Sequence, residues 1–191
     1  MGNSSHVGGG AIRTASDMTL TGCVLNGNDS YDNGGAVYGF AEVSGPIPHT
    51  LQIAFNDCEL SGNNARGLGG AGFVKNCLLS FNNSFLMTNT AYSGGGFRVS
   101  AGQLEMDGAL VFGNAATGVI AGAHRTVTEE GYGGGLHVTD SPFEIRNSRF
   151  ENNRADGLIA AGGALCVTGS QSYYDQSLSN CLFANNQSDN E

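Results

Sequence analysis

Three residues carry side chains suited to holding an anion and moving a proton: Arg98, His137 and Asp140. A histidine titrates near neutrality and can move a proton, and an arginine pairs with carboxylates through its fork of donors. Arg98 and His137 hold equivalent places in two successive copies of a repeat, so they are expected to be neighbours, with Asp140 three residues beyond His137. The same three are also what an exposed strand carries with no chemistry attached. Glycoside hydrolysis calls for a pair of carboxylates, and a calcium site calls for clustered acids. No aligned column of Asp or Glu lies beside these positions. A non-catalytic chain is therefore expected, with Arg98, His137 and Asp140 as the set to test first.

A second group suits recognition. Tyr173 and Tyr174 lie in one segment, and Pro46, Ile47 and Pro48 in another. Tyrosine offers amphipathic contact area at low entropic cost, and a proline-flanked tip is stiff. The segment 117–132 adds His124 and Arg125 beside Glu129 and Glu130, a mixed face rather than a basic one. Metal and cofactor signals are missing. The five cysteines form no CxxC pair and no Cys/His cluster with zinc-like spacing. No copy of a glycine motif carries the Asp of a calcium-binding nonapeptide, and Gly8–Gly10 is not followed by Gly-Lys-Ser/Thr. No cofactor is expected.

The elements that must position these residues are set by the repeat itself. A Gly-Gly-Ala or Gly-Gly-Gly triplet followed by an apolar residue occurs at 9–12, 34–37, 69–72, 94–97, 133–136 and 162–165. Downstream of each comes a second motif, at 20–28, 55–63, 81–89, 106–114, 145–153 and 178–186. Every copy of it ends in asparagine: Asn28, Asn63, Asn89, Asn114, Asn153 and Asn186. The undecorated unit is 25 residues, as from Gly70 to Gly95. Excess length falls within 39–50 and 117–132 and near Ser170 to Gln176, and is expected as surface loops because the register survives it.

Within the motifs apolar and polar residues alternate in runs of three to five, the period of a strand. Glycine and asparagine at the junctions supply positive φ for sharp corners. Stacked at the strand spacing, such units give each strand a parallel partner above and below, and the stack buries what one unit cannot. The expected fold is all-β, a parallel β-helix of about six coils forming one domain over 1–191. Equivalent positions then become columns. Leu25, Leu60, Leu86, Val111, Phe150 and Phe183 form an apolar spine, and Cys23, Cys58, Ser84, Ala109, Ser148 and Cys181 form a column of small residues. The asparagine column is expected to be structural, each inward amide donating to one neighbouring coil and accepting from the other.

Charge excludes one class of partner. The chain holds 17 acidic residues against 8 basic, a net charge of −9, with Lys75 the single lysine. Phosphate-backbone binding needs clustered Lys and Arg, so nucleic acid is not expected. No run approaches the twenty apolar residues of a membrane-spanning helix.

The pairing of GGA-[ILV], intact at Ala11-Ile12, Ala36-Val37 and Ala164-Leu165, with F-x-x-N, strict at Phe150 to Asn153 and Phe183 to Asn186, resembles the polymorphic outer membrane proteins. It also resembles the wider right-handed, pectin-lyase-like parallel β-helix repeats. The resemblance covers residues 8–191 and implies right-handed coiling. It implies the surface-exposed passenger of an autotransporter, used in adhesion, at an outer membrane or secreted from it. Partners would be a protein or glycan at a cell surface, and neighbouring coils of a longer chain of which this is an excerpt. Other members of the wider fold are polysaccharide lyases and glycoside hydrolases, and a purely architectural spacer is the third reading.

Overall fold

Three backbone corners recur in every repeat, and they explain the glycines and asparagines. The first glycine of each triplet has φ between 64° and 71° (Gly9, Gly34, Gly69, Gly94, Gly133, Gly162), a region that costs other L-residues. The second glycine answers a different demand. A Cβ on Gly70 would lie 2.0 Å from the Gly95 carbonyl oxygen and within 2.7 Å of Thr90 backbone atoms, so no side chain fits. The other two corners are left-handed at Gly22, Asp57, Asn83, Gly108, Asn147 and Asn180, and at Gly27, Gly62, Thr88, Gly113, Asn152 and Asn185.

Between corners the chain runs in short strands. The computed structural model describes residues 2–42, 51–118, 130–169 and 175–190, and all their regular structure is β-strand. Each repeat supplies one strand to each of four sheets; the fourth repeat, for example, gives Phe97–Ser100, Gln103–Asp107, Leu110–Phe112 and Ala115–Ala116. In chain order the sheets hold six, six, six and seven strands, and within each sheet the repeats follow one another in sequence. The pairings are parallel, and they match equivalent residues: Phe73, Arg98, His137 and Cys166 sit side by side in the first sheet. Hydrogen bonding continues through the glycine corner, where Gly69 N donates to Ser93 O (2.9 Å) and Gly94 N to Tyr132 O (2.8 Å).

Inward positions form the core. The spine residues Leu60, Leu86, Val111 and Phe150 are wholly buried, and Phe55 stacks on Phe81 (5.0 Å between centroids) with Phe97 edge-on to both. The column of small residues leaves room for local hydrogen bonds: Ser84 Oγ accepts from Cys58 N (3.1 Å) and Ser148 Oγ from Ala109 N (3.1 Å). Burial fails in the last repeat. Leu178 and Phe183 are 49 % and 42 % exposed, whereas Ile145 and Phe150, their equivalents one repeat earlier, are fully covered.

The asparagines make one chain of amides. Asn89 shows the pattern: its Oδ1 accepts from Asn63 N (2.9 Å) and Asn63 Nδ2 (3.0 Å), while its Nδ2 donates to Asn114 Oδ1 (2.9 Å) and Leu60 O (2.9 Å). The same bonds join Asn28 to Asn63, Asn114 to Asn153 and Asn153 to Asn186. Asn3 extends the chain, donating from N and Nδ2 to Asn28 Oδ1 (3.1 and 3.0 Å). It stands 25 residues before Asn28, one repeat length, although no glycine triplet precedes it.

The expected loops are shorter at their edges. Gly39 and Phe40 belong to the strand Val37–Phe40, held in register by Val74 and Lys75. Glu130–Tyr132 is a strand paired with Ile159–Ala161. Positions 43–50 and 119–129, with Pro46 and Ile47, lie outside the described residues, as do Tyr173 and Tyr174.

Candidate functional site

The first sheet and the fourth meet at the glycine corner, and the outward side chains of the first sheet lean into that angle. A Cβ on Gly8 would touch the Tyr38 ring (3.2 Å), and one on Gly94 would lie 3.0 Å from Arg98 Cβ. The residue just before each triplet completes the seam: Ser93 reaches His137, and the Tyr132 ring stands edge-on to it at 5.3 Å. The outward positions of this sheet are therefore not uniformly exposed. Phe73 and Cys166 are buried, and His137 is 2 % exposed. Strand alternation alone reads them as solvent-facing; the concave corner covers them.

Arg98 and His137 are brought together across the strand pair, with Arg98 Nη1 2.9 Å from His137 Nδ1. A guanidinium only donates, so Nδ1 holds a lone pair and the imidazole proton sits on Nε2. Ser93 Oγ lies 2.7 Å from the same Nδ1, and Nε2 is 2.8 Å from Thr168 Oγ1 and 3.2 Å from Thr139 Oγ1. Burial, reinforced by the Arg98 charge, pulls the His137 imidazole down to about 3, so it is neutral at ordinary pH. Burial also lowers Arg98. The Cys166 thiol is raised by burial, an effect the Arg98 charge opposes. The Tyr132 phenol is raised by burial and then by the charge of Glu130.

Asp140 stands apart from the pair. It follows the strand Leu136–Thr139 with φ 48°, and its Oδ1 faces Gly169, where a Cβ would lie 2.4 Å away. Among the described residues no carboxylate forms an ion pair with Arg98, and Arg98 Nε is buried without a hydrogen-bond partner. Arg98 also donates to two hydroxyls, from Nη1 to Ser93 Oγ at 3.3 Å and from Nη2 to Thr139 Oγ1 at 3.4 Å.

Compared with known proteins, the chain matches no family model, no curated protein and no solved structure.

What can the seam do? A serine hydroxyl beside a neutral imidazole is half of an acyl-transfer dyad. Ser93, however, is 1 % exposed, and the far nitrogen of His137 meets threonine hydroxyls instead of a carboxylate. With Nδ1 and Nε2 both engaged and the basicity depressed, the ring has no capacity to take a substrate proton near neutrality. Ser93 and Thr168 were not read as partners of His137, since 44 and 31 residues separate them from it. The place of Ser93 and Tyr132 immediately before two successive triplets was the available signal. No group of three or more potential metal ligands occurs among the described residues, and none of these residues is part of a helix long and apolar enough to cross a membrane.

Proposed function

We propose that the four sheets are the faces of a right-handed parallel β-helix of about six coils, and that it is a non-catalytic recognition rod at a cell surface or secreted from one. Right-handedness follows the general rule for parallel crossover connections. The observation that carries the non-catalytic reading is the state of His137: buried, neutral, and bonded at its ring nitrogens to Arg98 and to hydroxyls. An acid–base residue needs access to substrate and a basicity matched to working pH. The GGA-[ILV] and F-x-x-N pairing supports membership among polymorphic outer membrane protein passengers, and with it an adhesive role.

The second reading, a lyase or glycoside hydrolase built around Arg98, His137 and Asp140, draws on the meeting of Arg98 and His137 alone. Assay on pectate and related glycans, with His137→Ala as control, separates the two. We expect no turnover by either protein; turnover lost on substitution overturns the recognition reading. Retention of the chain on cultured cell surfaces, measured for the intact chain and for chains lacking 43–50 or 119–129, tests recognition directly. No retention of the intact chain would leave only the spacer.

A further inference from the structure

The cations of this acidic chain are not distributed evenly. Arg146, Arg149 and Arg154 each pair with carboxylates: Arg146 with Glu144 (3.0 Å) and Asp107 (3.5 Å), Arg149 with Glu151, and Arg154 with Asp156 and Asp189. Arg13, Arg66, Lys75 and Arg98 have no such partner among the described residues. Arg13, Arg66 and Arg98 flank the glycine corner, and Lys75 ends the strand Gly72–Lys75 on the sheet face that carries Arg13 and Arg98. Their sequence separations of 53, 9 and 23 residues hide the cluster, which appears only when equivalent strands stack.

Planar side chains lie between these cations. The Arg13 guanidinium is 5.2 Å from the centroids of both Tyr38 and Phe40, and Tyr38 stacks on Phe73 at 5.6 Å. Across the corner Arg66 sits 3.7 Å over the Tyr31 ring, whose other face stacks on His6 (4.5 Å). Arg13 Nη1 donates to Val7 O (2.9 Å), which ties the two rows together at their first level. Arg13 and Lys75 are exposed, and Tyr31 is 44 % exposed, so the strip faces solvent.

We propose that this strip binds a linear sulfated glycan. The inference rests on the recognition reading above and names its ligand class. Aromatic and guanidinium planes offer flat surfaces to the faces of sugar rings, while unpaired cations beside them take the anionic groups. Spacing argues for strong anions presented about one disaccharide apart. Arg13 and Lys75 lie two strands apart, about 10 Å along the stack, against one charge per about 3.4 Å of axis for each strand of duplex DNA. Lys75 and Arg98 occupy adjacent strands of one face, offset by two residues, hence about 8 Å apart at the backbone. A sulfate ester offers three terminal oxygens to the two cations where a carboxylate offers two. Outside the strip the net negative charge repels polyanions, which confines binding to this face.

The test is affinity of the intact chain for a size-defined heparin oligosaccharide. Its desulfated form, oligogalacturonate, poly-glutamate and single-stranded DNA are parallel arms. Two double variants are compared after circular dichroism confirms unchanged folding: Arg13→Gln with Lys75→Gln, and Arg146→Gln with Arg149→Gln. We expect the first to weaken heparin binding roughly ten-fold or more and flatten its salt dependence, and the second to leave it unchanged. Equal loss in both doubles, or in neither, overturns the strip. Binding of any other arm as tightly as heparin overturns the sulfated class. If heparin is not bound while the chain still adheres to cells, this inference fails and the recognition reading stands.

Discussion

Buried polar groups occupy two different corners of the repeat, and they behave differently. At the asparagine corner each amide presents to its neighbour the partner that the neighbour needs. Asn89 uses both lone pairs of Oδ1 and both hydrogens of Nδ2. At the glycine corner polar burial happens once. Arg98, His137 and Ser93 face Phe73 on one side and Cys166 on the other, so no equivalent group completes the pattern, and Arg98 Nε is left without an acceptor. A repeated polar group makes its own environment; a single one depends on whatever the adjoining repeats supply. The first arrangement suits a scaffold, the second a place that differs from its neighbours.

The largest effect that tests this contrast is expected at Asn89. Asn89→Ala leaves Asn63 N–H and one Asn63 Nδ2–H buried without acceptors, and deprives Leu60 O and Asn114 Oδ1 of one donor each. At 1–3 kcal/mol for each buried group left unpaired, the loss is roughly 3–5 kcal/mol. Urea unfolding followed by circular dichroism measures it. A loss below about 1 kcal/mol would mean that water or a shift of the strands replaces the amide, and the ladder would not be a scaffold element.

The ladder carries no titratable group, whereas the seam does, so pH separates them. His137 has a folded-state pKa of about 3 against an ordinary 6.5. Between those values the unfolded chain binds a proton that the folded chain refuses, so stability is full above pH 6.5 and falls as pH drops toward 3. The slope approaches about 1.4 kcal/mol per pH unit, roughly 3 kcal/mol from pH 6.5 to 4. Carboxylates titrate in the lower part of that range, so the measured quantity is the difference between the chain and His137→Gln. That variant is expected to lose the His137 slope; identical pH profiles would show that the ring is not held neutral by the fold.

A smaller effect is expected at Arg98. Replacing a partly buried, unpaired cation by an apolar side chain of similar length is often neutral or favourable, so Arg98→Met should change stability by less than about 1 kcal/mol. His137 should then titrate higher by NMR, because one of its two depressing causes is gone, yet stay below 6.5 because burial is the larger. A strongly destabilised Arg98→Met would place the guanidinium among the scaffold elements, with the asparagines.

The asparagine column was legible in the sequence because one residue type recurs at one offset. The same regularity exposed the strand periods, the glycine corners and the apolar spine. The seam was half legible: register put Arg98 beside His137, but alternation assigned both to solvent, since the concavity comes from the angle between two sheets. Ser93 has no pattern of its own, whereas Thr139 and Thr168 hold equivalent places in successive repeats. The four cations without an ion pair among the described residues were not legible either, since their nearness is a property of stacking and not of spacing along the chain. Asn3 was missed for a plainer reason, having the right offset without the triplet that marks the other copies.

The smallest effect concerns the residue that introduces the ladder. Five of the six positions before a ladder asparagine are Gly27, Gly62, Gly113, Asn152 and Asn185; the sixth is Thr88, with φ 53°. A β-branched side chain in the left-handed region is strained, by roughly 1–2 kcal/mol for an L-residue. Thr88 is exposed, and its backbone N still donates to Phe112 O (2.9 Å), so the strain has no visible compensation. Asparagine tolerates this conformation and avoids the extra unfolded-state entropy of glycine. Thr88→Asn should therefore raise stability by about 1 kcal/mol, seen as a higher urea midpoint with unchanged slope. If the midpoint does not move, the backbone at this corner is relaxed whatever residue it carries. The run of glycine and asparagine there would then reflect the needs of the amide that follows, Asn89 and its equivalents, and the stringency of the ladder corner would lie wholly in side chains.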